Sequence, residues 1–362
     1  MSAATTDDTC DVVCLGESLV AFRPVRPGPL ADVPAFERGI GGAESNVACV
    51  LARCGHRTRW IGRVGTDGFG THLVDAIAAH GVDVSAVQRD PDRPTGIYFR
   101  TAGERATTPA VDRSPSAPLS EPPSAPISEP FSEVAYYRAG SAASAMSPAL
   151  VPREAAWSGR ILHLTGITAA LSAECRDLLR HLTAPVPGRP LLSFDVNYRA
   201  ALWRNSPDGP SVLKDLARRC DLVFVGEDEA EAAWGLRGAA AVRAALPEPG
   251  LLVVKHGAQG ATAIARDGEA LTIPAPAVDV VAPVGAGDAF AAGFLSATLR
   301  GLPLPARLRH GHLTAAAALT VPGDLGEPPA RERADRLAAL DDTAWNALRI
   351  DRETNRDTES TA

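Results

Sequence analysis

Pro283-Val284-Gly285-Ala286-Gly287-Asp288-Ala289-Phe290 is the stretch of this chain best suited to chemistry. Residues 289–299 are helix formers with an apolar face, so Gly285, Ala286 and Gly287 fall where a helix begins. The first turn of a helix leaves its N–H groups without intrahelical partners, and together with the positive end of the dipole they stabilise an anion. Small residues there let a phosphate approach the backbone closely. Asp288 then faces the same anion pocket, a poor place for a carboxylate unless it moves a proton. As a base it would take the proton of an attacking hydroxyl while the amides hold the phosphoryl oxygens. The same tetrapeptide also occurs as an ordinary glycine-rich helix cap, and alone it does not decide between the two readings.

The elements that must position such a turn are legible as apolar runs. Residues 12–16 and Trp60 to Val64 read as strands, and further strand-like runs recur at 161–164, 191–194, 222–225 and 251–254. Helical spacing appears at Asn46 to Cys54, stopped by Gly55, and at Leu73 to His80, closed by Gly81. Later helical stretches lie at 172–182, 211–219, 228–234 and 239–246, and Arg331 to Leu348 reads as one terminal helix with Leu337, Leu340 and Trp345 facing inward. Strands alternating with helices argue for an α/β fold with a mostly parallel sheet covered on both faces. Residues 16–40 and 94–101 hold short β-type pieces with few helical features, enough for a small flap beside that sheet.

The bulk composition narrows the function. With 362 residues, 45% hydrophobic and 22% charged, the chain is an ordinary globular protein of enzyme size. Lys plus Arg is 36 against 43 Asp plus Glu, a net charge of −7, which argues against nucleic-acid and anionic-membrane partners. No stretch approaches the ~20 apolar residues of a transmembrane helix. The polar, acidic start (Met-Ser-Ala-Ala-Thr-Thr-Asp-Asp) does not read as a signal peptide. Cys10, Cys14, Cys49, Cys54, Cys175 and Cys220 show no paired C-x-x-C spacing and read as thiols in a reducing cytoplasm. Residues 105–133 stand apart: 116–123 and 124–131 form a near-exact tandem octapeptide rich in Pro and Ser, read as a surface insertion. Polar tails are expected at 1–10 and 349–362, leaving a single domain at 11–348.

Three segments carry a family resemblance. Gly41-Gly42-Ala43-Glu44-Ser45-Asn46-Val47-Ala48, Val64-Gly65-Thr66-Asp67-Gly68-Phe69-Gly70 and Val284-Gly285-Ala286-Gly287-Asp288-Ala289-Phe290 resemble the patterns of ribokinase-like (PfkB-type) carbohydrate kinases, in the right order and at the right distances. The resemblance runs from about residue 11 to 340. It implies a three-layer sandwich with a mostly parallel central sheet and a small β-strand lid, here from about 16–42 and 94–141. Within the family, Gly16-Glu17, 95–100, 136–144, 195–203 and Pro322-Gly323-Asp324-Leu325 look most like 2-keto-3-deoxygluconate kinases. A keto-sugar acid carries a carboxylate, which Arg grips with two parallel hydrogen bonds, and Arg138 and Arg199 are the candidates. The resemblance implies that Gly42, Asn46, Tyr98, Tyr136 and Asp324 also line the substrate site. It places Asn197 at the phosphates and lets Glu229 organise Mg²⁺ through water, with no direct protein ligand to the metal. Lys255-His256-Gly257-Ala258-Gln259-Gly260 resembles the family loop beside the adenosine and phosphates, although on its own it is also a plain turn between strands.

The sequence departs from the family pattern at three points. Ala282 stands where relatives have an Asp that helps hold a monovalent cation, which puts potassium activation in doubt. Gly226-Glu227-Asp228-Glu229 lacks the first Asn of the usual Asn-x-x-Glu, and His312 replaces a common Asn near the adenine. The expectation is therefore a cytoplasmic, ATP- and Mg²⁺-dependent kinase that phosphorylates the 6-hydroxyl of 2-keto-3-deoxygluconate, a homo-oligomer joined through its lid. The alternatives are a fructokinase or ribokinase of the same fold, or a non-catalytic ligand-binding regulator.

Overall fold

A computed structural model of the chain describes residues 10–26, 28–101, 133–206 and 208–351. The Pro/Ser-rich stretch expected at 105–133 falls, but for Glu133, outside the described residues, as do the first nine residues and most of the C-terminal tail.

An eight-stranded sheet forms the middle layer, in the spatial order Ala270–Ile273, Ala261–Ala265, Leu251–Lys255, Leu222–Gly226, Leu191–Asp195, Gly159–Thr165, Cys10–Leu15 and Thr58–Ile61. From Leu251–Lys255 to Thr58–Ile61 every pairing is parallel, and the first two strands add an antiparallel hairpin at one edge. Because side chains alternate across a strand, each central strand feeds two cores. Val12, Cys14 and Phe224 pack on one face against the helices Ala43–Arg53, Ala286–Leu299 and Leu304–Leu319. Val13, Leu15, Val223 and Val225 pack on the other against Ala173–Leu182 and Gly209–Arg218. Burial on both faces is why these strands read as continuous apolar runs rather than alternating ones.

The lid is a separate four-stranded sheet, ordered Phe36–Gly41, Leu19–Pro24, Ile97–Arg100 and Val134–Tyr137. One face of it carries Leu19, Ala21, Tyr98 and Val134, a small apolar cluster of its own.

Three expectations are corrected. The run from Trp60 to Val64 is not one strand: Thr58–Ile61 joins the main sheet, while Arg63–Gly65 pairs with Gln88–Asp90. The break falls at Gly62, where a Cβ would lie 2.3 Å from the Trp60 ring. Residues 331–348 form two helices, Arg331–Ala338 and Asp342–Asn346, because Asp341 takes an extended backbone and its carboxylate caps Ala344 N–H at 2.8 Å. The expected polar tail begins later than 349, since Arg349–Ile350 pairs with Ala277–Val278 and buries Ile350.

Candidate active site

The helix Ala286–Leu299 begins at Gly285, whose φ of 77° lies in the left-handed region. A Cβ there would sit 2.1 Å from the carbonyl oxygen of Asp324, so both backbone and packing require glycine. No side chain caps this helix, which leaves the first-turn amides for an external anion. Asp288 stands in that first turn and is half-buried. Its Oδ2 accepts a 2.9 Å hydrogen bond from Asn46 Nδ2. Burial pushes its carboxyl up to about 7; the Asn46 bond, Lys255 and Arg199 work against that rise, and Asp195 adds to it. A carboxyl near 7 is poised to accept a proton at neutral pH.

Asn46 is delivered by the helix Ala43–Arg53, which starts directly after Gly42. A Cβ on Gly42 would come within 2.5 Å of Glu17 O, so the chain turns tightly into this helix only with glycine. Asn46 is 3% exposed and its Oδ1 has no partner.

The C-terminal ends of three parallel strands face this helix start, the place where open α/β sheets bind ligands. Leu191–Asp195 delivers Asp195 and, just beyond, Asn197, whose φ of 42° makes it the one described non-glycine residue with positive φ. Asp195 Oδ1 and Asn197 Oδ1 are both buried and unpartnered. Leu251–Lys255 delivers Lys255, whose Nζ lies 2.7 Å from Asp195 Oδ2 and 3.5 Å from where a Cβ on Gly287 would be. The ammonium is therefore at the mouth of the anion hole. Beyond Leu222–Gly226, Glu229 Oε2 accepts from Gly226 N–H at 3.0 Å and its Oε1 from Arg199 Nη1 at 3.1 Å. Gly257 and Gly260 take positive φ in the loop after Lys255, with Gly257 exposed at the rim.

On the lid side, Tyr98 OH donates to Asp324 Oδ2 at 3.0 Å and Arg100 Nη2 donates to Asp324 Oδ1 at 2.7 Å. Burial raises the Asp324 carboxyl while Arg100 opposes the rise. Tyr136 stacks on Tyr98 with ring centroids 5.4 Å apart, and the Arg138 guanidinium lies over the Tyr136 ring. Arg138 also pairs with the buried Glu17 carboxylate, while its Nε stays buried and unpartnered. Burial raises the Tyr136 hydroxyl, and the positive charges of Arg138 and Arg199 oppose that rise.

No hydrogen bond links His312 to these side chains. Its Nε2 bonds Ile273 O at 3.0 Å, its ring packs against Phe290 and Trp345, and burial lowers its pKa to about 4. Sequence reasoning also missed three participants: Asp195 as the partner of Lys255, Glu17 as the partner of Arg138, and Arg100. For Arg100 a signal existed, since a residue two positions after Tyr98 on a strand shares its face.

A family model described as "pfkB family carbohydrate kinase" matches residues 10–331. The chain belongs to the pfkB family of carbohydrate kinases. It is thus a phosphotransferase that acts on a sugar hydroxyl. This pfkB kinase is 33% identical over 327 residues to a 2-dehydro-3-deoxygluconokinase of Bacillus subtilis, covering 89% of this chain and 94% of that protein. It is also 33% identical over 336 residues to a protein of the same name from Thermoproteus tenax, covering 91% and 94%. The crystal structure of a PfkB protein from Polaromonas sp. superimposes with a TM-score of 0.73 at 32% identity, covering 90% of this chain and 99% of that one. Among the described residues, no three His, Cys, Asp or Glu side chains are grouped to hold a metal ion directly. No described helix of this pfkB kinase is long and apolar enough to cross a membrane.

Proposed function

We propose that this pfkB kinase transfers the γ-phosphoryl group of ATP to the 6-hydroxyl of 2-keto-3-deoxygluconate, the 2-dehydro-3-deoxygluconate named in its relatives. The observation that carries the reading is Asp288: a carboxyl raised to about 7, half-buried, at the uncapped start of a 14-residue helix and across from Lys255. Asp288 takes the proton of the 6-hydroxyl as the new O–P bond forms. The bond from the γ-phosphorus to the bridging oxygen breaks, and ADP leaves. The 285–287 amides and Lys255 hold the charge that gathers on the phosphoryl oxygens. Asn197, with its unpartnered Oδ1, borders the same phosphate region.

At the other end, Arg138, which lies over the Tyr136 ring, and Arg199 would take the substrate carboxylate. Mg²⁺ fits this donor set only through water, with Glu229 accepting from its hydration shell; bound with the nucleotide, it would neutralise phosphate charge. Gly257 and Gly260 shape the loop proposed to border the adenosine. No role is proposed for His312, whose Nε2 is bonded to Ile273 O.

The test is a panel of acceptors with ADP release as readout: 2-keto-3-deoxygluconate, its galactose-derived epimer, gluconate, fructose and ribose, each with and without potassium. The expected result is the highest kcat/KM with the 2-keto-3-deoxy acid. A higher kcat/KM with fructose or ribose overturns the substrate assignment.

A further inference from the structure

The mechanism leaves one buried acid unexplained. Asp195 is 2% exposed at the end of the strand Leu191–Asp195, and proton transfer to Asp288 gives it nothing to do. One of its oxygens holds Lys255 Nζ at 2.7 Å and the other has no partner. Lys255 comes from a different strand, sixty residues later in the chain, and its ammonium sits on a flexible four-carbon stem. A compact cation at the end of such a stem goes to the nearest unbalanced negative charge.

Three carboxylates act on it: Asp195, Glu229 and Asp288. Arg199 already engages Glu229 at 3.1 Å. Were Asp195 neutral, Asp288 would be the acid left to attract Lys255. An ammonium paired to the base would blunt the base and leave the mouth of the anion hole at the same stroke.

We infer that Asp195 is a positioning residue: it holds Lys255 against the Gly287 side of the anion hole and so keeps the ammonium off the Asp288 carboxylate. The inference rests on Asp288 being the base, but not on which sugar is the acceptor. Four side chains act on Asp288: Asn46, Asp195, Lys255 and Arg199. Asn46, from the helix Ala43–Arg53, donates a hydrogen bond to it. Asp195 raises its proton affinity, whereas Lys255 and Arg199 lower it. Making Asp195 neutral removes a raising influence and frees a lowering one, so both changes point the same way.

The experiment measures kcat, KM and the pH dependence of kcat/KM for the wild type, Asp195→Asn, Lys255→Met and the double variant, with whichever acceptor the panel ranks highest. For Asp195→Asn we expect kcat to fall by about 100-fold, the lower end of the cost of losing one oriented charge donor, while the sugar KM changes by less than about threefold. The midpoint of the acid limb should drop by at least half a pH unit, a shift that a merely structural role would not produce. The double variant should be no slower than Lys255→Met, because the positioning role of Asp195 works only through that ammonium. Asp195→Glu, which keeps the charge, should recover part of kcat.

An unmoved midpoint overturns the inference, and so do losses that multiply in the double variant. Removing one partner of a buried pair often impairs folding, whereas removing both is better tolerated. If Asp195→Asn does not fold, the comparison of Lys255→Met with the double variant decides: a further loss of tenfold or more in the latter overturns the proposal, and equality supports it. A panel in which fructose ranks first defeats the substrate assignment while leaving this test unchanged.

Discussion

Replacing Asp288 by Asn exchanges one carboxylate oxygen for an amide nitrogen at constant shape. The bond from Asn46 Nδ2, 2.9 Å in the native chain, still finds an acceptor in the remaining Asn oxygen, so the fold should persist. Turnover should not persist: loss of a positioned general base costs about 10²- to 10⁴-fold. The pH dependence makes the prediction sharper. With its carboxyl at about 7, wild-type Asp288 is deprotonated in about one molecule in ten at pH 6, so kcat/KM should fall by about tenfold per pH unit below 7. In Asp288→Asn the residual rate should lose that limb.

Stability moves in the opposite sense. A carboxyl raised from 3.8 to about 7 binds its proton more tightly in the folded chain than in the unfolded one. The native protein is therefore favoured at low pH and gives up that stabilisation as pH rises through about 7. At roughly 1.4 kcal/mol per unit the span amounts to a few kcal/mol at most, since Asp288 retains some contact with solvent. Asp288→Asn should thus melt higher than the wild type at pH 8 and show a smaller advantage at pH 5. Coupled ADP-release kinetics and calorimetry at the two pH values check both halves. Near-normal turnover in a folded Asp288→Asn protein refutes the assignment of the base. A wild-type kcat/KM that stays flat between pH 5.5 and 8 refutes the electrostatic argument behind it.

Gly285→Ala places a side chain at φ 77° and a Cβ 2.1 Å from Asp324 O, so the helix start must shift. The left-handed backbone alone costs about 1–2 kcal/mol, and we expect a lowered Tm together with more than a tenfold loss of kcat in the ADP-release assay. Arg199→Lys keeps the charge but loses the planar fork, and it should raise KM for the sugar acid by about tenfold while the KM for fructose moves little. Isothermal titration with the sugar acid alone would register the same loss. Glu44 is wholly buried, its Oε1 accepting from Thr165 and Thr168 at 2.8 and 2.7 Å, and burial raises its carboxyl to about 7. The sign is that of Asp288: stability is present at low pH and lost as pH rises through about 7, so Glu44→Gln should flatten the fall in Tm between pH 5 and 8.

What the sequence disclosed follows from the range of the interactions involved. The Gly285-to-Asp288 turn was legible because its chemistry is local: helix formers after it, small residues within it, and an acid in the first turn. The six parallel strands were legible as apolar runs because both their faces are covered. The hairpin Ala261–Ala265 and Ala270–Ile273 went unread, since Ala-Thr-Ala-Ile-Ala carries little strand propensity and owes its state to pairing with Leu251–Lys255. The strand Arg349–Ile350 is two residues long and exists only through a partner about seventy residues upstream. In the site, the Lys255–Asp195 and Arg138–Glu17 pairs join residues 60 and 121 apart, a relation no spacing rule discloses. His312 is a related case. Its position on the helix Leu304–Leu319 was legible, but which face that turn presents was set by Phe290 and Trp345.

Asp324 connects the two halves of the problem a kinase must solve, holding the phosphate and excluding water. Its main chain lies against Gly285, so closely that no side chain fits between them. Its carboxylate is held by Tyr98 and Arg100, both from the lid strand Ile97–Arg100. Gly41, on the lid strand Phe36–Gly41, makes that arrangement possible: a Cβ there would lie 2.4 Å from Tyr98 OH and 2.8 Å from Asp324 Oδ2. The lid is therefore tied through one residue to the backbone that shapes the anion hole. A carboxylate oxygen that accepts one hydrogen bond keeps a further lone-pair site, so the tie leaves Asp324 able to meet a sugar hydroxyl as well. Any movement that opened the lid about this strand would pull on the segment packed against Gly285 and disturb the amides that hold the phosphoryl group.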